Sequence, residues 1–434
     1  MAAGGGGVRV DGRRVKTQAT GLCQNRSGLP MPDPTFLTRV LLENYKSIAS
    51  CDVALGPLTF LVGPNGSGKS NFLDALRFVA DALRSSLDHA IRDRGGIPEV
   101  LRRSPIPSTH FGGRFEFRLR SRERGFYAFQ IRSSGDGGYE VEKEDCWFVS
   151  PEAPAAPVHY SVRSGEVVSK SAPVLPVGVD DRLYLVRASG VPEFRPIYEA
   201  LSSMGFYHLN PDRIRDLEKP DQGELLARDG NNLASVLAHL ATHAPSIKVR
   251  IEEYLAKAVP GVQGVDAKTI GPMETLEFRQ QIQGKGTAFL ANNMSDGTLR
   301  ALGVLVALFQ SANGQRRKVP LVGIEEPEIA LHPAAVGMLF DAVLEASRAT
   351  QILVTSHSPD LLDDARVAPG SILAVAIEQG ITWLAPLDEV GRSVLKDRLY
   401  TPGELLRLHQ LLPDPESLAK TLHTQPDLFA PMAE

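Results

Sequence analysis

Between Thr35 and Val62 the apolar positions come in short runs. Phe36, Leu37, Val40 and Leu41 form one, Leu58-Thr-Phe-Leu-Val62 another, and both read as strands. The second run breaks off at GPNGSGKSN. Beyond it the period changes: Phe72, Leu73, Leu76, Val79, Ala80 and Leu83 recur at helical spacing. A strand, a glycine loop and a helix therefore follow one another. From about residue 99 to 290 the texture differs. RFEFRLR (114–120) and FYAFQIR (126–132) alternate apolar and polar residues, as half-buried antiparallel strands do. A Pro/Val/Ser-rich stretch at 150–178 predicts loops and edge strands, and 232–244 and 247–259 have a helical period.

Regular alternation returns near 291. A helix over 298–312, a buried strand over 319–324, a helix over 333–347 and a buried strand over 351–356 predict a mostly parallel sheet. One helix is expected over 401–412, with Pro402 in its first turn, followed by a polar tail. The expected organisation is a leader over 1–34, a first half-domain over 35–98, an antiparallel β and helical insertion over 99–290, a second half-domain over 291–385, and a C-terminal helix and tail over 386–434. The fold class is α/β. No internal repeat is evident.

Composition narrows the class. Of 434 residues, 43% are hydrophobic and 23% charged, an ordinary globular balance. A net charge of −4 does not mark a nucleic-acid binder, although a basic patch can sit on an acidic protein. The segment from Arg84 to Ser134 is such a candidate, and Arg114, Arg118 and Arg120 are spaced to share one strand face. Ion pairing with nearby acids such as Glu116 and Glu123 is the competing reading. Cys23, Cys51 and Cys146 lack the spacing of a disulfide framework or a zinc site, and read as reduced thiols of a cytoplasmic protein. With no run of about 18 apolar residues, no membrane span is expected. The Gly-rich, basic leader reads as disordered, with a nucleic-acid-touching arm as the alternative and Met31 as a possible second start.

Four patterns carry chemistry. Gly63, Pro64, Asn65, Gly66, Ser67, Gly68, Lys69 and Ser70, followed by Asn71, match GxxxxGK[ST] between a strand and a helix. In such a loop backbone N–H groups surround phosphate oxygens, Lys69 reaches the β- and γ-phosphates, and the Ser70 hydroxyl takes Mg²⁺. The strand VPLVGI ends in Glu325 and Glu326. Adjacent carboxylates at a buried strand end suit a metal acid followed by a base that deprotonates water; a solvated strand end is the bland alternative. The next apolar strand ends in Thr355, Ser356 and His357, where a neutral imidazole can reach a γ-phosphate or the attacking water, or be structural. Ser295, Asp296 and Gly297 precede a helix, as an anion site or as a simple N-cap.

The order of these motifs, with VLLENYKSIASCDVALGPLTFLVGPNGSGKSNFLDAL at the start, resembles the ABC-class ATPase heads of SMC proteins, RecF and the overcoming-lysogenisation-defect nucleases. The likeness is good over about 36–98 and 290–385 and loose between them. It implies a P-loop NTPase of ABC/SMC-head type with ATP and Mg²⁺ as cofactors. By that resemblance Gly63 to Ser70 is Walker A, Glu325 the metal acid with Ser70, Glu326 the catalytic glutamate, Glu328 to His332 the D-loop, His357 the switch histidine, and Ser295 with Gly297 the signature. Such heads bind two ATP molecules between head-to-tail copies. The signature reads SDGT instead of SGGQ, Walker B has Glu where Asp is usual, and Gln130, inside an expected strand, is the only early candidate for a Q-loop. The residues after 385 hold no DxD of a Toprim nuclease, and no zinc motif or long heptad arm is present. The expectation is an ATPase that dimerises and acts on DNA or on an effector protein encoded nearby, without a membrane partner, in DNA maintenance or anti-phage defence. A nucleotide-sensing scaffold with little hydrolysis and a transporter ATPase are the alternatives.

Overall fold

The computed structural model describes residues 34–104, 108–135, 137–172, 176–311, 319–423 and 426–432. The leader, Cys23 and Met31 lie outside these residues. In chain order the strands are β1 (Leu37–Tyr45), β2 (Ile48–Ala54), β3 (Leu58–Val62), β4 (His110–Arg118), β5 (Arg124–Ser133), β6 (Tyr139–Val149), β7 (Val158–Arg163) and β8 (Glu166–Lys170). They continue with β9 (Gly205–Tyr207), β10 (Val262–Ile270), β11 (Met273–Ile282), β12 (Lys285–Leu290), β13 (Leu321–Glu325), β14 (Gln351–Ser356), β15 (Ile372–Glu378) and β16 (Ile381–Pro386).

Thirteen of them form one sheet in the order β8-β7-β6-β5-β4-β1-β2-β16-β15-β3-β14-β13-β9. Its centre is parallel: β3 lies between β15 and β14, with β13 and β9 outside β14. The alternating strands at 110–163 do not form a separate layer. They extend the same sheet as an antiparallel wing, because β1 pairs with β2 on one side and with β4 on the other. Only β10, β11 and β12 make a second sheet. The C-terminal part also differs from expectation: three short helices, Glu389–Lys396, Pro402–Arg407 and Pro415–His423, replace the single one. The second stops at Leu408, and His409 turns to φ 57°, which a continuing helix does not allow.

β3 shows why the sheet is covered on both faces. Phe60 and Val62 join a core with the helices Leu233–His243, Pro245–Ala258 and Asp296–Phe309, whereas Leu61 joins a core with the helix Lys69–Arg84 and the wing. Gln351 locks the layers at the sheet centre. Its buried Oε1 accepts from Phe36 N and Leu37 N, and its Nε2 donates to Leu37 O and Gly56 O. None of the helices among the described residues is long and apolar enough to cross a membrane. Cys51 and Cys146 are buried free thiols.

The wing is held by a buried carboxylate. Glu144 on β6 accepts from the hydroxyls of Tyr127 and Tyr160 and from the N–H groups of Tyr184 and Leu185. Burial nevertheless pushes its carboxyl up to about 7. The folded chain thus holds this proton more tightly than the unfolded chain, whose ordinary value is 4.5. The associated stability is fully present below that value and is lost as pH rises through 7, by on the order of 3 kcal/mol. Denaturant midpoints at pH 5 and pH 8 should differ in this sense. In Glu144→Gln, less stable at both, the difference should shrink; an undiminished difference would remove Glu144 as its source.

Candidate nucleotide-binding site

β3, β13 and β14 are parallel, so their C-terminal ends open on one edge of the sheet, where open α/β sheets bind ligands. Val62 is in register with Ser356, and Glu325 with Thr355. The glycine loop, the paired acids and the histidine strand end therefore meet at one rim.

The loop from Gly63 to Gly68 leads from β3 into the helix Lys69–Arg84. Gly66 and Gly68 have φ of 77° and 100°, a region that costs other residues strain. Close packing adds a second constraint: a Cβ on Gly63 would lie 2.0 Å from Val375 O, and one on Gly68 2.0 Å from Thr382 Oγ1. Pro64, Asn65 and Gly66 are exposed at the loop's crest, and Ser67 is buried beneath them. Lys69 folds back so that Nζ donates to Gly63 O and Pro64 O, both at 2.9 Å. Burial lowers its pKa, against the opposing charges of Glu326 and Glu328. A cation spanning an open ring of glycine backbone is poised for anionic oxygens, so these residues fit a triphosphate. The Ser70 hydroxyl is exposed beside them, and the Asn71 side chain turns away to donate to Ser47 Oγ at 2.6 Å.

Glu325 and Glu326 diverge at the end of β13. Glu325, the better buried, has Arg228 Nη2 at 3.6 Å and His208 Nδ1 at 3.9 Å. Desolvation lowers the Arg228 pKa. Glu326 leaves the strand with φ 44°, its N–H donating to Thr355 O at 3.0 Å and Thr355 Oγ1 at 3.2 Å. That turn points its carboxylate at His357, whose Nδ1 is 3.0 Å from Glu326 Oε1. An acceptor-only partner assigns a proton to Nδ1, which donates to the carboxylate.

Behind this pair Glu328 is buried. Ser356 Oγ donates to its Oε1 at 2.6 Å, and burial raises its pKa. Ser295 caps the helix Asp296–Phe309: its Oγ accepts from Thr298 N at 3.3 Å and meets Thr298 Oγ1 at 2.9 Å. Asp296 pairs with Arg215. Gly297 packs so tightly on the loop after Glu328 that a Cβ would lie 2.3 Å from Ala330 O. Among the described residues no hydrogen bond joins Ser295 or Gly297 to the glycine loop of the same chain. Gln130 sits in β5, paired with Gly112 and Lys143, on the wing.

Some of the site escapes motif reading. His208 follows β9, a strand of three residues, and Arg228 lies in a loop; only the pairing of β9 with β13 brings this region to Glu325. The arginine run divides: Arg118, Arg120, Arg122 and Arg124 are exposed around the turn between β4 and β5, whereas Arg114 is not. Arg114 is 2% exposed, stacks over Phe126 at 3.7 Å and binds Glu116, Leu428 O and Ala430 O. Arg120 binds Ala349 O.

The model of a protein family described as "AAA domain, putative AbiEii toxin, Type IV TA system" matches residues 58–142 and 185–363. The OLD nuclease of Thermus scotoductus is 27% identical over 343 residues, 76% of this chain and 60% of that protein. The chromosome partition protein Smc of Desulfitobacterium hafniense is 25% identical over 242 residues, 52% of this chain and 20% of that protein. The chain thus spans less than two thirds of the length of these relatives. Among solved structures, the Smc head domain with an extended coiled coil, bound to the C-terminal domain of ScpA and derived from Pyrococcus furiosus, superposes with a TM-score of 0.53. It is 14% identical and covers 84% of this chain and all of that one. An SmcHead bound to the C-winged helix domain of ScpA gives 0.52 at 15% identity, over 82% of this chain and 99% of that chain.

Proposed function

As the chain belongs to the AAA-domain family whose model matches it over 58–142 and 185–363, and is an SMC/RecF-like P-loop protein related to the ATPase half of OLD nucleases, we propose that it hydrolyses ATP in sites shared between two head-to-tail copies. The contact between Glu326 and His357 at the glycine-loop rim carries the reading. A carboxylate oriented by an imidazole, on the strand end next to a phosphate loop, is suited to taking a proton from water.

Placement supports a role for each residue. Lys69 exchanges Gly63 O and Pro64 O for β- and γ-phosphate oxygens. Ser70 and Glu325 would hold Mg²⁺, which neutralises phosphate charge as it develops. Arg228 tempers the charge on Glu325. Glu326 accepts the water's proton while His357 Nδ1–H keeps the carboxylate aimed. Ser295 and Gly297, engaged with their own helix and with Ala330, serve the partner copy's γ-phosphate from the start of the helix Asp296–Phe309. Nucleotide-driven closure of the two copies then acts on a further protein. With Arg114 buried, a DNA track would rest on the exposed Arg118, Arg120, Arg122 and Arg124, whereas the ScpA domains carried by the similar Smc heads offer a precedent for a docked protein.

Mixing separates a shared site from a private one. Ser295→Arg and Lys69→Ala subunits should each be inactive, and a mixture should regain part of the phosphate release, through dimers with one intact composite site. No recovery at any mixing ratio would leave the site within a single chain.

A further inference from the structure

Thr382 on β16 belongs to none of the motifs, yet it is fully buried and touches the glycine loop. Its Oγ1 donates to Ser67 O at 2.8 Å and lies 2.6 Å from Ser47 Oγ. Ser47 Oγ also lies 2.6 Å from Asn71 Nδ2. Donor counting fixes the direction of the whole chain. An amide nitrogen only donates, so Ser47 accepts from Asn71; the single Thr382 hydroxyl proton goes to Ser67 O, so Ser47 must donate to Thr382. The relay runs one way, from Asn71 N–H through the Ser47 and Thr382 hydroxyls to the Ser67 carbonyl. Each bond polarises the next. A second bond, from Thr382 N to Ser47 O at 2.9 Å, fixes the two residues face to face.

The consequence lies at one peptide plane. In a trans peptide the carbonyl and the following N–H point in opposite directions. Holding Ser67 O against Thr382 therefore turns Gly68 N–H to the other side, the concave side on which the loop receives an anion. The relay's other end is anchored as firmly. Asn71 and Asp74 are three apart on one helix face. Asp74 accepts from Tyr45 Oη at 2.9 Å and pairs with Lys46 at 2.6 Å, Arg77 at 2.6 Å and Arg94 at 3.0 Å. Although burial alone would raise it, those cations hold the Asp74 carboxyl well below the usual carboxylate range. The turn Tyr45–Ser47 is thus clamped to the phosphate-loop helix on one face.

We infer that Thr382, Ser47 and Asn71 are positioning residues for the phosphate loop, setting its affinity for the nucleotide's phosphates from a strand and a turn outside the glycine loop and from the first turn of its helix. The inference rests on the nucleotide reading above, so Lys69→Ala serves as its benchmark. Thr382→Val keeps the shape and suits a strand. It should weaken ATP binding, read with a fluorescent ATP analogue, and raise KM by roughly tenfold, the worth of one buried hydrogen bond, while kcat changes far less. Thr382→Ser should restore affinity. Ser47→Ala should weaken binding as well, and the double variant should lose less than the two effects combined, because all three residues form one network. Wild-type affinity in Thr382→Val or in Ser47→Ala, failure of Thr382→Ser to rescue, or a loss confined to kcat would overturn the inference. Should Thr382→Val fail to fold, Ser47→Ala decides alone. If Lys69→Ala itself binds normally, the nucleotide reading has failed and not merely the relay.

Discussion

Glu326→Gln is expected to bind ATP as the wild type does and to release phosphate about 10²–10⁴-fold more slowly, the usual loss when a general base is removed. The amide keeps the side chain's length and its contact with His357, so binding has no reason to change, but it accepts no proton from water. Because the chemical step is blocked after closure, the variant should accumulate as an ATP-bound dimer, visible as a nucleotide-dependent shift in size-exclusion elution. Phosphate release at the wild-type rate would remove Glu326 from the chemistry. The base would then fall to Glu328, the other carboxylate whose charge Lys69 senses.

Lys69→Ala should lose binding itself. The ammonium now spans Gly63 O and Pro64 O, so it already sits at the mouth of the ring that phosphate oxygens would enter. A hydrogen bond to a charged partner contributes about 1.5–3 kcal/mol, which corresponds to roughly ten- to a hundredfold in affinity. The helix Lys69–Arg84 should remain intact, since its apolar face and the Asp74 cluster do not involve Lys69. A titration with the fluorescent analogue, alongside circular dichroism, separates lost affinity from lost fold. Unchanged affinity would place the nucleotide elsewhere.

Much of the rim was legible because its signals are local. Leu58–Val62 is a short run with four apolar residues of five, Phe72 to Leu83 has a period near 3.6, and the glycine loop between them falls at the break. Glu325 ends, and Glu326 and His357 directly follow, strands that sequence alone delimits. What was not legible depends on which strand lies beside which. Alternation predicts β4 as a strand, but nothing in RFEFRLR says that Arg114 pairs with Leu41 and makes the wing part of the central sheet. The same blindness hides Thr382. A threonine in ITWLAP looks like an ordinary strand residue until β16 is set against the turn before Ile48. The C-terminal helices are a different case, since their caps were readable. Asp388 caps Glu389–Lys396, and Thr401 with Glu404 forms a capping box before the next helix.

The strand order also bears on how copies of this chain can meet. An open sheet, however wide, has only two free margins, and each is a potential template for fibrous self-association. Here one margin is β9, three residues long, which offers a neighbouring chain almost nothing to template. The other is β8, five residues that begin at Glu166 and end at Lys170, so a strand laid along it would have to accommodate a charge at either end. Wide as it is, the sheet is thus guarded against lateral growth into filaments. The proposed head-to-tail pairing, through the loops at the strand tips, leaves both of these margins unused.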